Sequence, residues 1–403
     1  MTLLLRSATL SDGSTFDIAI ADGLIVWMGP HNSHTGAAEQ HLDLTGYVLT
    51  PSFVEPHAHL DKAFLADRVF NPAGDLMGAI RGLEAVRNTI THEDIVERTT
   101  RAAVLMSRNG VTSIRTHADT TISGGLSSVL ALLEAKQQCA HFIDIQVAML
   151  LEWPVTGVEG ADRRALAKDA IAAGVDVIGG CPHLDPNPEQ AVEYLLALAL
   201  EHGLPLDLHA DENLRPDSCD LEHLADMVLS QNIVHRMNAS HCVSLSVQSD
   251  HDIRRISEKV AAANISVTAL PQTNLFLQGR SMSSGIPRAI TPVNALLEAG
   301  VTVAAGADNL QDPFNLMGRG DPLEIASLMV LAAHTSPTAA HHMITHASSI
   351  VVTGHSAVVE VGHLANLVAT KATTLRESIA MEPPDRHVVY GGVVIDNHNR
   401  NRK

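Results

Sequence analysis

At 403 residues the chain is long enough to bury one large core with a smaller unit beside it. Its 45% hydrophobic and 18% charged content is that of a folded globular protein and excludes a disordered chain. A formal net charge of −18, with no Lys/Arg-rich block, argues against nucleic acid or an anionic membrane surface as partner.

In chain order, residues 1–50 predict short strands separated by turns: LLLRSATL, DGSTFDIAIADG, LIVWMG and LDLTGYVLT. Asp12-Gly13 and Asp22-Gly23 are hairpin signals. The apolar runs ANLVA (365–369) and VVYGGVVI (388–395) are expected to return and pair with these strands. That predicts a small β-sandwich domain built from both termini, residues 1–50 and 361–403, with residues 51–360 inserted between them.

The inserted part alternates short apolar runs with helical patterns. The runs are 47–54, 111–117, 142–150, 174–180, 204–210, 236–241, 265–271 and 301–308. Between them lie segments such as HEDIVERTTRAAVLMSRNG and PEQAVEYLLALALEHG, the latter opening on Pro-Glu and closing on Gly, the usual helix punctuation. Eight strand-then-helix units predict an α/β fold, a (β/α)₈ TIM-like barrel. Near-continuous apolar strands suit a parallel sheet covered on both faces. The absence of GxGxxG after the first strand disfavours an open doubly wound sheet.

Cys139, Cys181, Cys219 and Cys242 are far apart and form no CxxC, so a disulfide framework is not expected. The N-terminus lacks the long apolar region of a signal peptide, and no apolar run approaches the length of a membrane span. The expectation is a cytoplasmic soluble protein. A homo-oligomer is compatible with the composition, which does not show one.

A barrel carries its chemistry at the C-terminal ends of its strands. The first strand ends at His57-Ala-His59, the second at His117, the fifth at His209-Ala-Asp211-Glu212, the sixth at His241 and the eighth at Asp308-Asn309. His57 and His59 alternate by two, so on a strand they project together. His341, His342 and His363 fall in helical or terminal segments and are expected at the surface. With His209 and Asp308, the first pair can surround one divalent cation, and nitrogen ligands with one carboxylate suit Zn²⁺ or Fe²⁺ better than Mg²⁺ or Ca²⁺. Such a cation lowers the pKa of bound water toward neutrality. Glu212 can move a proton between that water and a leaving amine, and His241 can hold the water. Each residue has a plainer alternative taken alone. An HxH pair can arise by chance, His117 can be a structural polar group, Glu212 a solvated acid and Asp308 a helix N-cap. Joint placement at four strand ends favours the metal reading.

These stretches resemble the amidohydrolase superfamily and, within it, the cytosine deaminase-like metal-dependent hydrolases. The matching segments are FVEPHAHLDK (53–62), RTHAD (115–119), PHLD (182–185), DLHADE (207–212), ASHC (239–242), ALPQTNLFLQGR (269–280) and GADNLQDPFNLMG (306–318). The resemblance implies a distorted barrel with one metal on His57, His59, His209 and Asp308. It also implies Glu212 as proton shuttle, His241 orienting the water and Asn309 near the substrate ring. The fourth strand, GVDVIGGCPHLD, has no lysine to bridge a second metal, which favours a mononuclear site. The HxE and PCxxC motifs of the cytidine and nucleic-acid deaminases are missing.

One departure bears on specificity. Where cytosine deaminases carry a glutamine that reads the pyrimidine carbonyl edge, QVAMLLEWP aligns Glu152. An ionised glutamate only accepts hydrogen bonds. The expected substrate therefore presents N–H groups on that edge, unless Glu152 is protonated or turned away. Lys62 and Asn309 also depart from or vary within the family, and with Glu152 and His117 they complete the candidate substrate contacts. The leading function is hydrolytic deamination of cytosine or a related amino-heterocycle. The alternatives are removal of an alkylamine from an s-triazine, cyclic-amide hydrolysis on the same metal, or a metal-dependent heterocycle binder without turnover. HADE, with its glutamate, favours the deaminase.

Overall fold

The structure, a computed structural model, describes residues 2–396. Two sheets organise it. The chain enters through β1 (Thr2–Thr9), β2 (Thr15–Ala21), β3 (Leu24–Gly29), β4 (Gln40–Asp43) and β5 (Val48–Pro51). It continues through β6 (Phe53–Ala58), β7 (Val111–Thr120), β8 (Asp144–Leu151), β9 (Ile178–Gly180), β10 (Leu206–Ala210), β11 (Met237–His241), β12 (Ser266–Ala269) and β13 (Val303–Ala305). It leaves through β14 (Leu367–Thr370), β15 (Arg386–Tyr390) and β16 (Val393–Val394).

The terminal sheet runs β16-β15-β14-β5-β1-β2-β3, with β4 also on β1. The expected return is present: β14 pairs antiparallel with β5, and β15 and β16 follow it. Asp22 and Gly23, both left-handed (φ 50° and 80°), form the two-residue turn between β2 and β3. Leu3, Leu5, Ile18, Ile20, Leu49, Leu367 and Val389 form this sheet's apolar core. Met1 and residues 397–403 of the expected terminal unit lie outside the described residues.

Strands β6–β13 form the eight-stranded parallel barrel in chain order. Apolar residues that face out from the strands pack against the surrounding helices, of which Pro188–His202, ended by left-handed Gly203 (φ 65°), matches its predicted limits. The first predicted strand differs from expectation. The run 47–54 is two strands: β5 ends at Pro51 in the terminal sheet, and β6 starts at Phe53 in the barrel. Proline cannot donate to a ladder, which marks the exchange point. The barrel strand therefore carries His57 within it rather than after it.

Closure of the barrel is local and specific. β6 meets the end of β13 at the bridge Ala58–Asp308, where the Asp308 amide donates to His57 O (3.0 Å) and the His59 amide to Asp308 O (3.2 Å). One turn of the pleat below, buried Glu55 accepts from the Ala307 amide with both oxygens (3.1 and 3.0 Å) and from the His57 amide (3.1 Å).

His342 and His363 are exposed as expected, but His341 is not. It is 7% exposed and packs edge-on to Phe53, ring centroids 6.1 Å apart. The helix Pro337–Ile344 turns this face onto the base of β6, so an apolar neighbour outweighs the polarity of the ring. Burial, with His342 beside it, holds the imidazole down at about 4. The unfolded chain takes up this proton near 6.5, so between those values the unfolded state binds more protons and stability falls as the pH falls. Between about pH 7 and about pH 5, a His341→Leu variant should lose roughly 2 kcal/mol less stability than wild type, read from urea unfolding midpoints. Equal losses would show that His341 does not fold as a buried neutral ring.

Candidate active site

The strand ends converge on one buried cluster. His57 Nε2 is 3.1 Å from His209 Nε2, which is 3.2 Å from His59 Nε2. Asp308 Oδ1 is 3.2 Å from His59 Nε2 and 3.6 Å from His57 Nε2. Four ligands about 2.0–2.2 Å from one tetrahedral ion stand roughly 3.2–3.6 Å from each other. Asp308 is 1% exposed, yet neither of its oxygens has a hydrogen-bond partner. A buried carboxylate without donors, among imidazole nitrogens at ligand spacing, fits a divalent cation. Burial works to raise Asp308, but His59 and His241 outweigh it and hold the carboxylate ionised. Burial and the neighbouring rings hold His57 and His209 well below the usual range, and so neutral.

Two more predicted residues stand beside the cluster. His241 donates from Nδ1 to Asn274 Oδ1 (3.1 Å), which leaves Nε2 bare, 3.7 Å from Glu212 Oε2 and 3.9 Å from Asp308 Oδ2. Glu212 is 5% exposed, and burial with the charge of Asp308 pushes its carboxyl well above the usual range. The loop holding it is anchored by Asp211, whose carboxylate accepts from the amides of Asp220 and Leu221 and from Ser218 Oγ. Asp211, His241, Cys242 and Asp308 all take left-handed φ between 49° and 71°. Such backbone costs of order 1–3 kcal/mol per residue and is held only where surroundings over-determine it.

The cluster opens into a cavity of about 260 Å³. Leu76, Ile80, Leu83, Trp153, Leu184 and Phe314 supply its apolar wall, and Glu152, Asn309, Lys62, Asp119, Glu84 and Arg87 its polar one. Glu152 Oε2 accepts from the Ile122 amide (2.9 Å) and from Arg163 Nε (3.1 Å). Asn309 is engaged by Asp312 and Thr273. Lys62 is committed to an ion pair: Nζ lies 2.7 Å from Asp119 Oδ1 and 3.2 Å from His59 Nδ1. Burial opposes the charge of Lys62, but Asp119 and Asp61 overcome it and raise its affinity for the proton. His117 departs from expectation. It is fully buried, stacked on His57 with centroids 4.0 Å apart, and the cavity wall is formed without it. Its ring stands beneath the His/Asp cluster, where the β7 pleat takes it, and outside the cavity wall.

Several residues were missed. His183, also buried, donates from Nδ1 to His209 O (2.9 Å) and points Nε2 at Glu212 Oε2 (3.9 Å). Beneath the histidines lies a polar layer of Glu55, Arg115, Asp207, Asn238 and Ser240. A signal was present: in EPH, RTH and DLH a charged residue stands two positions before the strand-end histidine, on the same face.

A model of the amidohydrolase family matches residues 63–396. The chain belongs to the amidohydrolase family. It is 30% identical to a pterin deaminase of Rhizobium rhizogenes, over 94% of this chain and 87% of that one. It is 25% identical to the N-isopropylammelide isopropyl amidohydrolase of a Pseudomonas species, over 98% and 96% of the two chains. A crystal structure of 5-methylcytosine deaminase from Klebsiella pneumoniae, liganded with phosphonocytosine, superposes with a TM-score of 0.90 at 28% identity, covering 98% of each chain. The protein is therefore a hydrolase of C–N bonds in cyclic amidines, and its His/Asp cluster marks a divalent-metal site. No helix among the described residues is long and apolar enough to cross a membrane.

Gly306 is required where the barrel closes. A Cβ there would stand 2.4 Å from Glu55 Oε1. Gly306→Ala should lower stability by about 1–3 kcal/mol and deplete bound metal, read by urea unfolding and elemental analysis. Wild-type stability with full metal content would show that closure tolerates the intrusion.

Proposed function

We propose that this amidohydrolase deaminates a small amino-substituted N-heterocycle, of the cytosine or aminopyrimidine kind, with release of ammonia. The observation that carries the reading is Glu212. It is a buried carboxyl beside the His/Asp cluster, facing His241 and lining the cavity, with its affinity for a proton raised. Simple metal storage gives such a group no task.

In this reading His57, His59, His209 and Asp308 hold one Zn²⁺ or Fe²⁺, since three imidazoles and a carboxylate accept either. The bound cation supplies Lewis acidity and a water that ionises near neutrality. Glu212, at its carboxylate, would take a proton from the attacking water. It then passes the proton to the amino nitrogen as the C–N bond breaks. His241, with Nδ1 donating to Asn274, offers Nε2 as an acceptor that orients the water. The apolar wall holds the flat ring and sheds bulk water, which strengthens these interactions.

The cavity lies just below the roughly 300 Å³ at which pockets for drug-sized ligands begin, which suits a single or fused heterocycle. Glu152 supplies the specificity. Arg163 pairs with its carboxylate, and a carboxylate only accepts. Substrates with N–H groups on the facing edge, such as cyclic guanidines and 2-amino-4-oxo rings, pair with it. A carbonyl edge does not, at about 1–3 kcal/mol. The pterin deaminase relative is consistent with such a ring. The N-isopropylammelide hydrolase relative supports a second reading, in which an alkylamine leaves instead of ammonia.

Glu212→Gln should abolish turnover while full metal content is retained. Residual wild-type activity, or loss of metal, would overturn the role given to Glu212. Assayed for ammonia against pterin, isocytosine, creatinine, cytosine, 5-methylcytosine and ammelide, the enzyme should favour rings with an N–H or amidine edge. Glu152→Gln should shift the ratio of kcat/KM toward cytosine by about 10-fold or more, as expected for one repaired hydrogen bond. Preference for cytosine by the unaltered enzyme would defeat the specificity argument. Isopropylamine release from N-isopropylammelide without ammonia from the others would favour the second reading.

A further inference from the structure

We infer that Ser240 and Asp207, on the two strands facing β6, set the tautomer of His57 and thereby its strength as a metal ligand. They are positioning residues, since neither lines the cavity. The inference rests on the proposed function only in taking His57 as a ligand.

The direction of every hydrogen bond in this chain follows from donor counting. Arg115 is a fully buried cation on β7, 1% exposed, pinned by the Val351 carbonyl (2.7 Å) at the end of the helix His346–Thr353. Its counter-charge is Asp207, with Arg115 Nη1 donating to Oδ2 at 2.8 Å. The other oxygen of Asp207 accepts from Asn238 Nδ2 (2.8 Å) and from Ser240 Oγ (3.0 Å). The Asn238 amide cannot turn over, because that would set its Oδ1 against the Asp207 carboxylate, which only accepts; as placed, its Oδ1 accepts from Thr268 Oγ1 (3.0 Å). Asn238 Nδ2 also donates to Ser240 Oγ (3.0 Å).

A serine hydroxyl has one hydrogen and two lone pairs. Ser240 gives its hydrogen to Asp207 and one lone pair to Asn238. The remaining lone pair faces His57 Nδ1 at 2.8 Å. His57 must therefore donate from Nδ1, and its Nε2 is left unprotonated. Nε2 is the atom within 3.1 Å of His209 Nε2 and 3.6 Å of Asp308 Oδ1. The chain from Arg115 through Asp207 and Ser240 thus presents a lone pair to the ion before the ion arrives. Asp207 supports the ring through one hydroxyl, and the site avoids placing a second bare carboxylate beside the metal.

Ser240→Ala should weaken Zn²⁺ binding by 10- to 100-fold, the usual effect of removing an outer hydrogen-bond partner, as measured by chelator competition without substrate. The zinc-free melting temperature should be unchanged, the visible spectrum of the Co²⁺-loaded protein should shift, and Ser240→Thr should restore affinity. In the zinc-free wild-type protein, long-range ¹H–¹⁵N spectra should place the His57 proton on Nδ1. Wild-type Zn²⁺ affinity in Ser240→Ala would overturn the inference. So would a His57 proton on Nε2, or an affinity loss matched by a lowered zinc-free melting temperature and not rescued by threonine. Because no substrate enters these measurements, their failure is distinct from failure of the proposed deaminase reaction.

Discussion

The contact between β6 and the end of β13 is the constraint on which the site depends. A parallel barrel closes by pairing its first strand with its last, and here the pairing is made by residues of the His/Asp cluster. Asp308 donates its amide to His57 and accepts the amide of His59, so the backbone that closes the barrel also sets the spacing of the three side chains. Glu55 reinforces the seam from inside, and burial raises its carboxyl to about 8 against the pull of the Ala307 and His57 amides. Gly306 is small because Glu55 occupies the space its side chain would need. Register at the seam and geometry at the metal are thus one quantity: a slip of one residue would turn His57 and His59 to the outer face.

Below the metal the barrel interior is polar, which is unusual for layers commonly filled by branched apolar residues. Buried charge is costly unless paired and fully hydrogen-bonded. Arg115 and Asp207 meet that condition through Gln146, Asn238, Ser240 and two helix-terminal carbonyls. The left-handed residues at the rim add to the cost. The outward faces of the same strands supply the compensation, since Ile114, Val147, Ile178, Leu208 and Val267 belong to the main apolar core. Strand alternation lets one strand carry both: core on one face, chemistry on the other.

Much of this was legible from residue order. Eight apolar runs gave the strand count, and the chemistry fell at their C-terminal ends because that is where barrel geometry exposes side chains. The terminal sheet was readable from the two ends of the chain, since β strands that cannot complete a sheet alone need a partner. What was not legible had specific causes. The run 47–54 reads as one strand because periodicity does not register a change of sheet, and only Pro51 marks it. His341 reads as a surface residue because it is one of an adjacent pair of polar rings, whereas its burial is decided by Phe53, far away in sequence. His117 reads as a site residue because it sits in the same motif position as His57 and His209. The longer β7 carries it below the rim. His183 was passed over although its strand was read, because it stands three residues beyond the end of β9, in the turn Pro182–Leu184.

Binding and chemistry are separable in this architecture. The metal cluster is over-determined: strand register, the polar layer and the rim backbone all fix it, and a change in any one propagates to the others. Glu152 is different. It sits just past β8, and its partners, Ile122 and Arg163, belong to a loop and a surface helix that take no part in the seam. Its side chain can be exchanged at little cost to the fold, because its hydrogen bonds are partly solvated and replaceable. A family that keeps one hydrolytic centre while changing its ring substrate would vary positions of this kind. The carboxylate at residue 152, paired with Arg163 at the cavity wall, is the position from which the proposed preference for a ring bearing N–H groups would act.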